Sequence, residues 1–180
     1  MEISMAKLSF VSFAGVFVLG SVAFGQQYEA KAEHAILKKD VGTWNASMKL
    51  WAGSSEPIEA KAMEVNKMVG DLWVSSHFEG DVFGQKFTGS GTFGFDPDKK
   101  KFVGSWVDSS NPYSSHMEGT YDAKTKTMTM LTKGKDPAGA TTEGKNVQVY
   151  KDENTRIFTM YTKQGDRFVK VMEITYTRKK

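Results

Sequence analysis

In the segment TWNASMKLW, residues 43–51, every second side chain is apolar: Trp44, Ala46, Met48 and Leu50 alternate with Thr43, Asn45, Ser47 and Lys49. A period of two belongs to a strand with one dry and one wet face. After it, turn-forming clusters recur at Gly53-Ser54-Ser55, Val69-Gly70-Asp71, Asp96-Pro97-Asp98, 122–126, Asp136-Pro137-Ala138-Gly139, 152–155 and Gln164-Gly165-Asp166. Their spacing, roughly ten to fifteen residues, predicts an all-β, up-and-down antiparallel sheet of about ten strands. So many strands expose pairing edges if left open, and closure into a barrel removes them. A barrel of about eight strands is filled by its own side chains or holds one small ligand, and about ten leave more room. The one predicted helix lies in YEAKAEHAILKKDVG, with Ala32, Ala35 and Ile36 on one face and Gly42 as its stop. In the last strand, RFVKVMEITYTR, Phe168, Met172, Ile174, Tyr176 and Arg178 share a side. Lys170 shares it too, which implies either a wet interior or a bulge.

Residues 1–25 read as a signal peptide: Lys7 in a short start, an apolar run from Leu8 to Leu19, then small residues at Ala23 and Gly25 that would leave Gln26 as the new N-terminus. The run is too short to span a bilayer. The expectation is a periplasmic or secreted protein with no integral membrane segment after cleavage, residues 26–180 forming one domain with enough chain for a core. The chain has no cysteine, which excludes disulfides, thiolate metal sites and a cysteine nucleophile. Its net charge of +3 is spread without a basic stripe, so neither nucleic acid nor an anionic membrane is a predicted partner. Nothing in the sequence sets the oligomeric state.

Several chemical motifs fail on context. GSGTFG, residues 89–94, spells a dinucleotide-binding string, yet it runs into Phe95 and an Asp-Pro turn instead of a helix. Glycines there fit a strand that bends within a barrel. DPDKKK lacks the third acidic ligand, the central glycine and the closing glutamate of a calcium loop, and reads as a hairpin turn. His34, His77 and His116 are the only histidines, and none has paired metal-ligand spacing; zinc or haem ligation is a weak reading. No G-x-S-x-G elbow is present.

The strand KFVGSWVDSS is more informative. Phe102, Trp106 and Asp108 share one face, so an apolar wall ends in a carboxylate beside the loop SNPYSSH. Apolar cavities with a few placed polar groups are how small-molecule sites are built. The plainer alternative has Asp108 capping a turn through Ser109 or Ser110 and Trp106 as core. The candidate ligand-lining set is Trp73, His77, Trp106, Asp108, Tyr113 and His116, around a small, largely apolar molecule. No catalytic residue, metal site or cofactor is assigned. Two other functions stay open: acid–base chemistry by Asp108 with His77 or His116, and a filled barrel whose outer surface binds a partner. Methionines at strand positions (Met48, Met128, Met130, Met160 and Met172) suit a tolerant pocket or a filled core equally.

The short helix leading into Gly42-Thr43-Trp44 and the inward-phased Arg178 resemble the calycin, lipocalin-like plan. That resemblance implies that Trp44 closes one end of the barrel and Arg178 stacks across it, both as structural residues. The order of motifs is similar to the bacterial exported family called domain of unknown function 1579. The motifs are His34-Ala35-Ile36-Leu37, Gly42-Thr43-Trp44, Gly84-Gln85-Lys86-Phe87-Thr88-Gly89, Gly94-Phe95-Asp96, Trp106-Val107-Asp108-Ser109 and Met172-Glu173-Ile174-Thr175-Tyr176-Thr177-Arg178. They cover nearly all of the mature chain. The family carries no established activity, so the resemblance implies a fold and leaves the chemistry open.

Overall fold

The computed structural model describes residues 28–180 apart from 52, 54 and 83. The signal-peptide reading of residues 1–25 therefore lies outside the described residues. Ten antiparallel strands follow one another around a closed barrel: β1 (Gly42–Leu50), β2 (Ile58–Val69), β3 (Trp73–Val82), β4 (Gln85–Asp96), β5 (Lys101–Asp108), β6 (Asn111–Asp122), β7 (Thr127–Lys135), β8 (Thr141–Tyr150), β9 (Thr155–Gln164) and β10 (Arg167–Arg178). Each pairs with its sequence neighbours, and β1 pairs with β10 from Trp44 opposite Arg178 to Leu50 opposite Met172. No edge is left unpaired in the barrel wall.

The predicted helix is much shorter than its apolar spacing suggested. Only α1 (His34–Leu37) is α-helical, followed by a 3-10 turn at Lys38–Asp40. It buries His34 and Leu37, while Ala32 and Ala35 face solvent and Ile36 is half-buried. A single turn has too few residues to bury a stripe, so the two that point at the barrel end take the whole contact. Leu37 packs into the core with Val74, Phe102, Met117, Met128, Met130 and Tyr150.

Alternation holds around the barrel. On β1 the inward residues Trp44, Ala46 and Met48 are buried, as their period predicts. On β10 the Lys170 anomaly is a bulge: Lys170 pairs with Tyr161 and Met172 with Met160, leaving Val171 as the extra residue. The bulge flips the strand's phase. Lys170 therefore faces outward over the Trp51 ring at 4.0 Å, and Phe168 lies outside, 41 % exposed, while Ile174 and Tyr176 are buried.

Candidate functional site

The barrel encloses a cavity of about 500 Å³. Its middle is apolar, lined by Met48, Phe78, Phe93, Trp106, Met130 and Phe158 among others. All five methionines singled out in the sequence face it. The mouth lies at the end of the β5–β6 and β7–β8 connections, where Asp108, Asn111, Lys135 and Asp136 line it. The opposite end sits behind the 3-10 turn and is polar: Asp40, Glu64, Asn66, Gln148, Tyr150, Arg156 and Tyr176 all line the cavity there.

Trp106 holds its place in the wall because β4 lacks side chains beneath it. A Cβ on Gly89 would come within 2.2 Å of its ring, and one on Gly91 within 2.9 Å. The glycines of GSGTFG thus seat an indole. Asp108 accepts the Trp106 Nε1–H at 3.1 Å and also the Ser110 amide (2.9 Å) and hydroxyl (2.6 Å). The carboxylate both orients the tryptophan and caps the β5–β6 turn, and both residues line the cavity.

The rest of the candidate lining set is placed elsewhere. On β3 the inward side chains are Val74, Ser76 and Phe78, all buried, which puts Trp73 and His77 on the outer wall. Trp73 is 41 % exposed and lies over Gly94 of β4. His77 bonds Ser90 Oγ at 3.0 Å through Nδ1 and Glu79 Oε1 at 2.9 Å through Nε2. This serine–histidine–carboxylate order is that of an activated nucleophile. Strands on both sides of β4 take up its amides, which leaves no backbone oxyanion donors beside Ser90. His116 is also outward and exposed, opposite Ser105 and Lys133, because its neighbour Met117 is the buried residue of β6. Tyr113 sits in an irregularity where Trp106 pairs with Ser115 and Asp108 with Asn111. It projects at the rim, 39 % exposed, with the Lys135 ammonium 5.2 Å from its ring centre. Asp108 therefore meets neither His77 nor His116: the sheet stands between them, and the proposed acid–base pair is not assembled. His34 packs edge-on against Phe95 and accepts the Lys31 amide at 2.9 Å. Among the described residues no group of three or more metal-ligating side chains comes together.

The polar end contains what the alternation concealed. Arg156, with a side chain 5 % exposed, bonds Asp40 Oδ1 at 3.1 Å and pairs with Glu64. Tyr176 donates to Glu64 Oε2 at 2.8 Å, and Tyr150 to Asp40 Oδ2 at 3.0 Å. Two guanidinium groups lie over the Trp44 ring, Arg156 at 4.6 Å and Arg178 at 4.1 Å from its centre, so the tryptophan is stacked by a second arginine besides Arg178. Arg178 also donates to the carbonyls of Val41 (2.6 Å), Lys39 (3.2 Å) and Glu153 (3.0 Å). Gly42, at φ +130°, leaves room for it, since a Cβ there would fall 2.4 Å from Arg178 Nη1.

Burial pushes the Asp40 carboxyl above its usual range, with Arg156 pulling the other way. Burial, and then the neighbouring carboxylate, raises the hydroxyls of Tyr150 and Tyr176 well above theirs. For Arg156, burial works against the charge, but Asp40 and Glu64 more than offset it and keep the guanidinium protonated. Sequence reasoning missed this cluster, although inward-phased charge on strands of otherwise dry alternation was its visible signal.

The fold is similar to that of Rv2717c from M. tuberculosis (TM-score 0.62, 10% identity, covering 84% of this chain and 100% of that one). It is also similar to the S-type phycobiliprotein lyase CPES from Guillardia theta (TM-score 0.55, 12% identity, covering 83% of this chain and 94% of that one). At such identities the likeness is one of fold. No curated protein matches the chain in sequence. The model of the family described as "Protein of unknown function (DUF1579)" matches residues 29–178, the barrel and the turn that closes it, and the chain belongs to that family.

Proposed function

We propose that this barrel binds one small, largely apolar molecule in its interior, after export to the periplasm or beyond the cell. The observation that carries the reading is the cavity itself: about 500 Å³, walled largely by aromatic and methionine side chains, with its charged groups at the two ends. A packed barrel serving only as an outer surface would have filled that volume, since protein interiors close to crystal-like density. Methionine walls adapt to the shape of what they hold, which suits a ligand gripped by packing. Export rests on the pattern of residues 1–25.

The test is native mass spectrometry with an absorbance spectrum, on untagged protein recovered from its exported compartment. The expected result is a chain beginning at Gln26 that carries an extra mass lost on denaturation. N-Phenyl-1-naphthylamine, an apolar fluorophore, should also brighten on binding the emptied protein. A bare mass together with no fluorophore binding would sink the reading.

A further inference from the structure

Gly144 of β8 pairs with Thr132 of β7 on one side and Thr162 of β9 on the other, and all three line the cavity. Two residues along β8, on the same face, Asn146 stands in the wall between Met130 and Met160. The missing Gly144 side chain matters here. A Cβ would come within 2.6 Å of Thr132 Oγ1, so glycine keeps that hydroxyl uncovered. The arrangement recurs nearer the mouth, where a Cβ on Gly134 would come within 2.7 Å of Ser115 Oγ.

At the closed end the polar side chains bond one another, Asn66 to Glu64 and both Gln148 and Arg156 to Asp40. The β7–β9 patch does not. Among the described residues, the side chains of Thr132, Asn146 and Thr162 have no hydrogen-bond partner in the protein. Asn146 Oδ1 is buried, whereas Nδ2 at the other end of the amide is not among the buried unpaired atoms and so is left on the open side. The flanking methionine sulfurs are only weak acceptors for it. Folded proteins seldom leave half-buried polar groups unsatisfied, so a cluster of them in a cavity wall points to what the cavity receives.

We propose that this patch binds a carbonyl oxygen of the ligand, a ketone or ester set in an otherwise apolar body, with Asn146 Nδ2 and the Thr132 hydroxyl as donors. An amide nitrogen can only donate, and a threonine hydroxyl turns to donate beside it. An oxygen with two lone pairs and no hydrogen satisfies both. Asn146 and Thr132 are diagonal neighbours on paired strands, about 7 Å apart, close enough for both side chains to reach one oxygen. A plain hydrocarbon would dry the patch and leave its donors without acceptors. The inference rests on the cavity-binding reading above and names a functional group of the ligand.

The test is displacement of N-phenyl-1-naphthylamine from the ligand-free mature protein by 6-undecanone and by its analogue with a methylene group in place of the carbonyl oxygen. The two compounds differ in their hydration, so the informative quantity is how their affinity ratio changes between wild type and variants. Asn146→Leu should weaken the ketone about tenfold relative to the methylene compound, and Thr132→Val about threefold. If Asn146→Leu fails to fold, Thr132→Val, which keeps the shape of the side chain, decides alone. A ratio that stays within about twofold of wild type in every folded variant overturns the carbonyl assignment and leaves the cavity reading standing. Failure of the fluorophore to bind the wild-type protein removes both.

Discussion

Trp106 stands in the cavity wall because two residues on the neighbouring strand have no side chain. The contact is unforgiving, since the Gly89 and Gly91 positions already touch the ring. Gly89→Ala is expected to displace the indole and lower stability by about 1–3 kcal/mol, the usual penalty of overpacking. Urea unfolding measures the loss, and a tryptophan emission shift reports the displaced ring. Arg156 is the opposite case, a group whose removal strands its partners. Arg156→Met leaves Asp40 and Glu64 buried without their cation, which should destabilise the fold by about 3–5 kcal/mol. Asp40 also sets a pH dependence. Its carboxyl titrates higher in the folded than in the unfolded chain, so the folded state holds the proton more tightly and this residue's contribution is lost as pH rises through its folded value. Asp40→Asn has no such titration. Urea midpoints taken from pH 4 upward should therefore move in favour of Asp40→Asn relative to wild type as pH increases. A difference that stays flat, or runs the other way, contradicts the burial-driven shift.

At the scale of the strand, the number of elements and their up-and-down order were legible, because turn residues and period-two alternation are local signals. So was β1, whose inward face is wholly apolar. The site was less so, for reasons that differ between strands. On β3 the outward residues include Trp73 and His77 while a serine points in, so residue type alone assigns the wrong face. On β2, Glu64 and Asn66 are inward, and the arginine that makes this tolerable lies on β9. No local pattern can announce a partner so far along the chain. The β10 bulge was half-legible: Lys170 marked the strand as irregular, and only the register showed that Val171 is the extra residue. Deleting Val171 should restore a regular ladder with Lys170 still outward and Met172 still inward. Outside the ladders it removes the bond from the Trp51 amide to the Val171 carbonyl at 2.9 Å. The deletion variant is thus expected to fold with the same register and lose only about 1 kcal/mol. A two-dimensional amide spectrum and urea unfolding check this, and collapse of the fold would show that the bulge itself is needed for closure.

For the molecule as a whole, nine of the ten strand pairings join sequence neighbours and one, β1 with β10, spans the chain. Local hairpins can form early, while the closing seam must wait for the ends to meet, since long-range contacts carry the largest loop entropy. Arg178→Ala, which removes a stack on Trp44 and three carbonyl contacts, should therefore accelerate unfolding far more than it slows folding. Stopped-flow chevrons separate the two, and a slowed folding arm would mean that the seam forms early. The same seam decides when the cavity acquires a floor. Trp44 from the first strand is gripped by arginines from the ninth and tenth, so the barrel is sealed at that end by its most widely separated residues. A chain cut short before Arg178 would keep its hairpins and its buried Arg156 cluster, and would lose the stack and the carbonyl bonds that rivet the start of the first strand to the end of the last.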